Sequence, residues 1–215
     1  IKKRFEKPNI DKVARDSDLV FLALPHGKSQ KPVAEFLKRG KRVVDLSADY
    51  RLRDKSLYKR WYRFEHLYPR LLKKAVYGLP EIYRKEIEKA SLVANPGCYP
   101  TGIILGVAPL LAHGLGEGDS IIVDAKSGVS GAGRKLDIAY HFSECHENLA
   151  AYDVGTHRHI PEIEQELSKI SKEKIIISFT PHLVSMDRGI LSTIYVNLKR
   201  KVSFDRARSL YEEYY

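Results

Sequence analysis

Two short apolar runs, DLVFLAL at 18–24 and RVVDLSA at 42–48, flank KSQKPVAEFLKRG, in which Val33, Ala34, Phe36 and Leu37 recur at helical spacing before Gly40. Strand, helix and strand in that order form a βαβ unit, so the sheet is parallel and needs cover on both faces. A further strand is expected at SLVAN (91–95), after a short helix at IYRKEIEKA (82–90). The Tyr-, Lys- and Arg-rich charge run before that helix reads as a solvated face. The second half is patterned differently. SIIVDAKSG (120–128), KIIISFTP (174–181) and GILSTIYVNL (189–198) read as strands, HRHIPEIEQEL (157–167) opens a helix, and FDRARSLYEEYY (204–215) is an amphipathic closing helix. Short links between the late strands predict an antiparallel or mixed sheet. The chain is therefore expected to be α/β: a parallel-sheet domain over 1–97, then an α+β domain over 98–215.

A chain of 215 residues is long enough for a self-sufficient core in one or two domains. No apolar run approaches a membrane span and the N-terminus has no signal-peptide pattern, so a soluble cytoplasmic protein is the expectation. The two cysteines, Cys98 and Cys145, sit in such different contexts that no disulfide is expected. The net charge of +10 admits solvated surface lysines and arginines, an anionic small ligand or a nucleic acid. Neither an aromatic-flanked basic motif nor zinc-finger spacing accompanies it, so no nucleic-acid partner is expected.

The chemistry concentrates in a few segments. In ANPGCYPTG (94–102) a strand breaks at Pro96-Gly97, presents Cys98 and restarts as an apolar helix with Pro100 in its first turn. A thiol attacks as thiolate, and the unpaired N–H groups and positive dipole end of a helix mouth favour that anion. The plainer alternative is a small buried residue in a tight turn. His157 and His159 stand at the opening of the next helix, as candidate proton carriers near neutral pH or as capping residues. SGVSGAGRK (127–135) combines glycines and serines with Arg134 and Lys135, either an anion-binding turn or a flexible connection; it fits neither common phosphate-loop pattern. The His141, Glu144, Cys145, His146 and Glu147 cluster lacks a second cysteine pair, so no metal is expected.

Taken together, VYGLPE, ANPGCYPTG, VDAKSGVSGAGRK, HRHIPEIEQEL and FTPHLVSMDRGILSTIYV resemble, in order, the N-acetyl-γ-glutamyl-phosphate reductase family of the semialdehyde dehydrogenase superfamily. The resemblance covers nearly the whole chain. It implies a partial Rossmann-like domain followed by a semialdehyde-dehydrogenase-type catalytic and dimerisation domain. It also implies an NADP(H)-dependent enzyme of arginine biosynthesis that reduces an acyl phosphate to a semialdehyde through a cysteine thioester. By the resemblance Cys98 is the nucleophile and His159 the acid/base residue, with His157 as the alternative. Leu24, Pro25, Ser127, Gly128 and Gly131 face the cofactor, while Arg134, Lys135, Arg158 and Glu162 bind substrate or phosphate. A homodimer or homotetramer is implied. A related branch acts on a carrier-linked aminoadipyl or glutamyl phosphate, and Tyr99-Pro100 after the cysteine favours the acetylglutamyl substrate. A zinc hydrolase and a basic nucleic-acid-binding domain are the readings from other classes. Members of the family begin with a glycine-rich cofactor turn and continue past SLYEEYY, so this chain is expected to be an internal fragment that binds NADPH weakly or not at all.

Overall fold

The computed structural model describes residues 7–134 and 136–215, which form two compact units, Ile1–Pro96 and Gly97–Tyr215. In the first, α1 (Ile10–Asp16), β1 (Leu19–Leu22), α2 (Gln30–Lys38) and β2 (Arg42–Asp45) realise the βαβ unit. They are followed by α3 (Ser56–Tyr62), α4 (Pro69–Leu72), β3 (Val76–Tyr77), α5 (Pro80–Lys89) and β4 (Leu92–Ala94). The sheet runs β1-β2-β4-β3 and every pair in it is parallel, with Val20 opposite Val43 and Val43 opposite Leu92. Val33 and Phe36 of α2 are buried with Val43, Leu52, Tyr58 and Leu92 in one cluster, as the helical spacing requires.

The Tyr-rich stretch is more than a solvated face. Lys55, Lys59 and Arg60 are exposed, but Tyr50, Tyr58 and His66 are buried, with the His66 ring centroid 5.2 Å from that of Tyr50 and 4.9 Å from that of Tyr58. Tyr58 reaches the core without losing its polar end: its hydroxyl accepts from the Leu52 N–H at 2.9 Å and donates to the Leu52 carbonyl at 3.1 Å.

A buried polar network ties together the loops beyond β1, β2 and β4. Asp45 accepts from the Ser47 N–H and hydroxyl, at 3.1 and 2.7 Å, and Asp49 accepts from the N–H groups of Gly27 and Ser29, at 2.6 and 2.9 Å. Arg51 donates to the carbonyls of Asn95 (2.7 Å) and Leu46 (2.9 Å), and so holds the end of β4. Burial pushes the Asp45 and Asp49 carboxyls up, opposed by these hydrogen bonds. The donors leading into α2 are thus taken by an internal carboxylate.

The second unit contains α6 (Cys98–Ala112), β5 (Ile121–Ser127), α7 (Phe142–Cys145), β6 (Leu149–Ala151), α8 (Ile160–Ser171), β7 (Ile177–Val184), β8 (Ile190–Tyr195) and α9 (Phe204–Tyr214). Its sheet, β6-β7-β5-β8, is mixed: β5 is parallel to β7 and antiparallel to β8, and β6 is antiparallel to β7. The strand expected at 174–181 instead pairs over Ile177–Val184, carrying Pro181 opposite Ala125. Ile121, Val123, Ala125, Ile177 and Phe179 are buried, whereas Ile122 is half exposed, the alternation of a sheet covered on one face. The apolar helix α6 contacts both α8 and β8. Pro109 within α6 has no N–H for the Leu105 carbonyl, and the Tyr215 hydroxyl donates to that oxygen at 2.6 Å. Tyr211 does the same for the Gly106 carbonyl, which anchors α9 on α6.

Candidate active site

Cys98 is the first residue of α6, Gly97 is the N-cap in extended backbone, and Pro100 occupies the first turn. The Thr101 N–H and hydroxyl both reach the Gly97 carbonyl, at 3.1 and 2.9 Å. Helix geometry leaves the N–H groups of Cys98 and Tyr99 without an acceptor inside the helix, and the thiol is exposed. Of the two readings of ANPGCYPTG, the buried turn residue is therefore excluded.

Two groups from α8 bracket the residue before the thiol. A methyl group added at Gly97 would lie 2.5 Å from Nε2 of His159 and 2.9 Å from its Cδ2 and Cε1, so the imidazole rests directly on the glycine backbone. One turn further along, fully buried Glu162 accepts the Gly97 N–H at 2.8 Å. Residues three apart share a helix face, which is how one helix supplies both contacts. Glu162, which the resemblance assigned to substrate or phosphate, is fully buried and accepts from the Gly97 N–H. Replacing Glu162 by Leu should leave a buried N–H unsatisfied and cost about 1–3 kcal/mol in urea unfolding, while Glu162→Gln, which keeps an acceptor oxygen, should recover most of that.

His157 is placed differently from His159. It is buried against Tyr99, Tyr152 and Phe179, at centroid distances of 5.3–5.7 Å, and its Nδ1 accepts the His159 N–H at 3.1 Å. That bond puts the proton of the neutral ring on Nε2. Burial lowers its pKa from 6.5 to about 4, with Arg158 adding to the shift. The unfolded chain therefore takes up a proton near pH 6.5 that the folded chain refuses until about pH 4, so stability is intact at pH 7 and falls as pH drops through that window. Compared with His157→Asn, whose side-chain oxygen can stand in for Nδ1, the parent chain should lose roughly 2–3 kcal/mol more between pH 7 and pH 4.5, measured by urea unfolding at each pH.

The glycine-rich segment is not a flexible connection. Residues Val129–Ala132 form a 3-10 turn pinned to the β7–β8 loop by Gly128 N to Gly189 O (3.0 Å), Val129 N to Met186 O (2.8 Å) and Ser130 N to Asp187 O (3.0 Å). A side chain at Gly128 would strike the Arg188 nitrogen at 2.7 Å, which is why glycine stands there. Ser127, at the end of β5, donates its hydroxyl to the Gly128 carbonyl at 3.1 Å, and the Tyr99 hydroxyl lies 2.9 Å from that of Tyr152. Burial raises the pKa of both tyrosines, so this array stays protonated at neutral pH.

Leu24 and Pro25 are exposed just beyond the carboxyl end of β1, and Arg134 and Arg158 are exposed in the second unit. Lys135 lies outside the described residues. Cys145 donates to the Ala139 carbonyl at 2.8 Å, and among the described residues no three His, Cys, Asp or Glu side chains gather as a metal group. Sequence reasoning missed the Tyr99–Tyr152 pair and the grip of Glu162 on Gly97. The spacing of His159 and Glu162 signalled a shared face; nothing local signalled Tyr152.

The chain belongs to the semialdehyde dehydrogenase family: residues 98–215 match its dimerisation domain and residues 1–90 its NAD-binding domain. Within the family, the chain is similar to curated proteins named N-acetyl-gamma-glutamyl-phosphate reductase. It is 52% identical over 210 residues to the one from Pelotomaculum thermopropionicum, covering 98% of this chain and 60% of that protein. It is 56% identical over 198 residues to the one from Alkaliphilus metalliredigens, covering 92% and 57%. The chain thus spans about 60% of the length of the relatives it matches. Among solved structures, aspartate semialdehyde dehydrogenase II of Vibrio cholerae superposes with TM-score 0.68 at 15% identity over 94% of this chain and 62% of that one. The Candida albicans enzyme with NADP gives 0.62 at 14% over 90% and 55%. These two likenesses speak for the fold.

Proposed function

We propose that this chain carries the reacting residues of an NADP(H)-dependent reductase that converts N-acetylglutamyl 5-phosphate to N-acetylglutamate 5-semialdehyde and phosphate, a step of arginine biosynthesis. The observation that carries this reading is Gly97 clamped between the His159 imidazole and the Glu162 carboxylate, immediately before an exposed Cys98 at a helix mouth. About 50% identity to reductases of that name supports the substrate.

The Cys98 thiolate attacks the acyl carbon; the new C–S bond forms as the C–O bond to phosphate breaks, and phosphate departs with that electron pair. The N–H groups of Cys98 and Tyr99 point out of the helix end and steady the oxyanion, a donor of this kind being worth about 2.7–4 kcal/mol. When bound, the nicotinamide cofactor supplies hydride to the thioester carbon. His159 holds the proton that the carbonyl oxygen gains and takes it back as the C–S bond breaks, releasing aldehyde and restoring the thiolate. Arg134, Lys135 and Arg158 are the candidates for phosphate.

The residues of the first unit suit a dinucleotide in one respect: Leu24 and Pro25 offer exposed apolar surface beyond a parallel strand, where open α/β sheets bind their ligands. Ser127, Gly128 and Gly131 are the candidates in the second unit. No helix among the described residues is long and apolar enough to cross a membrane, and we place the enzyme in the cytoplasm as a homo-oligomer. The match to a dimerisation domain supports the oligomer.

The test follows NADPH oxidation by the full-length protein with N-acetylglutamyl phosphate, alongside iodoacetamide labelling of this chain. Turnover, with Cys98 labelled faster than Cys145 and protected by the acyl phosphate, is the expected result. Equal labelling of both cysteines with no turnover would sink the reading.

A further inference from the structure

The first turn of α6 is closed from outside the helix. A helix commonly caps its own mouth: the side chain of the N-cap residue accepts an N–H of the first turn, and a Glu or Gln three residues further on reaches back to the N-cap N–H. The segment GCYP can do neither. Gly97, the N-cap, has no side chain, and the third residue of the helix is Pro100, whose ring offers no acceptor. The N–H groups of Cys98 and Tyr99 are left without an acceptor inside the helix, and the bond to the Gly97 N–H comes from 65 positions later, from Oε1 of Glu162 at 2.8 Å. Glu162 is fully buried on α8, which packs against α6. A carboxylate is costly to bury, and what an apolar side chain in its place could not do is hold that N–H.

We infer that Glu162 is a positioning residue for the acyl-transfer step: it holds the Gly97 N–H so that the next two N–H groups of the chain meet the carbonyl oxygen of the substrate, and it touches neither substrate nor cofactor. This rests on the acyl-phosphate reading above and deepens it. The bond fixes the peptide that precedes the thiol, and the peptides carrying the Cys98 and Tyr99 N–H groups follow it directly, so their aim depends on it. With the Gly97 donor taken by a protein carboxylate, the two donors beyond it serve the oxyanion. The consequence is selective. An oxyanion develops when Cys98 attacks an acyl phosphate, but not when its sulfur displaces iodide from the tetrahedral carbon of iodoacetamide.

The experiment compares these two reactions of Cys98 in the full-length enzyme: acylation by N-acetylglutamyl phosphate without NADPH, followed by rapid quench and mass spectrometry, and alkylation by iodoacetamide. Glu162→Leu should lower the maximal acylation rate about 10–100-fold, with the half-saturating acyl-phosphate concentration held within about twofold, while alkylation does not slow. Glu162→Gln keeps an acceptor oxygen and should bring acylation back to within about threefold of the parent. Glu162→Asp keeps the charge but draws the acceptor back by one methylene, and should fall between; it decides the matter if the leucine variant does not fold. Equal slowing of acylation and alkylation would mark a merely structural role and overturn the assignment. So would acylation at the parent rate in both the leucine and aspartate variants, or a raised half-saturating concentration at an unchanged maximal rate, which would put Glu162 on the substrate; each of these leaves the reductase reading intact. A parent enzyme that the acyl phosphate does not acylate at all would remove the two together.

Discussion

Replacing Cys98 by alanine in the full-length enzyme should lower kcat by about four orders of magnitude or more, the loss expected when a covalent nucleophile is removed. The fold should survive, because the side chain is exposed. The measurement that separates a nucleophile from a bystander is mass spectrometry after mixing with acyl phosphate in the absence of NADPH. The parent protein should gain one acyl group on Cys98; the variant should gain none. Acylation of the variant at any other residue, with turnover retained, would defeat the proposed chemistry.

The second large effect is expected at a residue with no side chain. Gly97→Ala places a methyl carbon 2.5 Å from Nε2 of His159, well inside contact distance, and the Gly97 N–H is already fastened to Glu162. The backbone cannot retreat without breaking that bond, so the imidazole must move. A shift of about 1 Å in a reacting group costs on the order of a hundredfold in rate, so kcat should fall by that much while Cys98 stays present and open to iodoacetamide. Overpacking should add about 1–3 kcal/mol of destabilisation in urea. A Gly97→Ala enzyme with unchanged kcat would show that His159 does not act from where it sits.

These two expectations differ in where they come from. Cys98 could be placed at a helix mouth from ANPGCYPTG alone, because a strand, a Pro-Gly break and a proline-tolerant first turn are all local properties of consecutive residues. The parallel βαβ unit was legible for the same reason: apolar spacing reports which side of an element is buried. Gly97→Ala could not be derived that way. Nothing within a few residues of Gly97 says that an imidazole encoded sixty positions later will rest on it.

The choice between His157 and His159 shows the same limit. Both precede Pro161 and look alike as a pair, yet one is sunk among Tyr99, Tyr152 and Phe179 with its pKa driven down to about 4, and the other faces the cysteine turn. Glu162 looked like a ligand in sequence and is fully buried in structure. The segment SGVSGAGRK offered glycines that permit either a loose link or a tight turn, and three hydrogen bonds to the β7–β8 loop made it a tight turn. Local sequence determined the elements, their amphipathic faces and the strand-turn-helix that bares a thiol, since each depends on neighbours in the chain. Partner identity was left to the tertiary structure, because burial, hydrogen-bond satisfaction and steric exclusion are set by residues that only packing brings together.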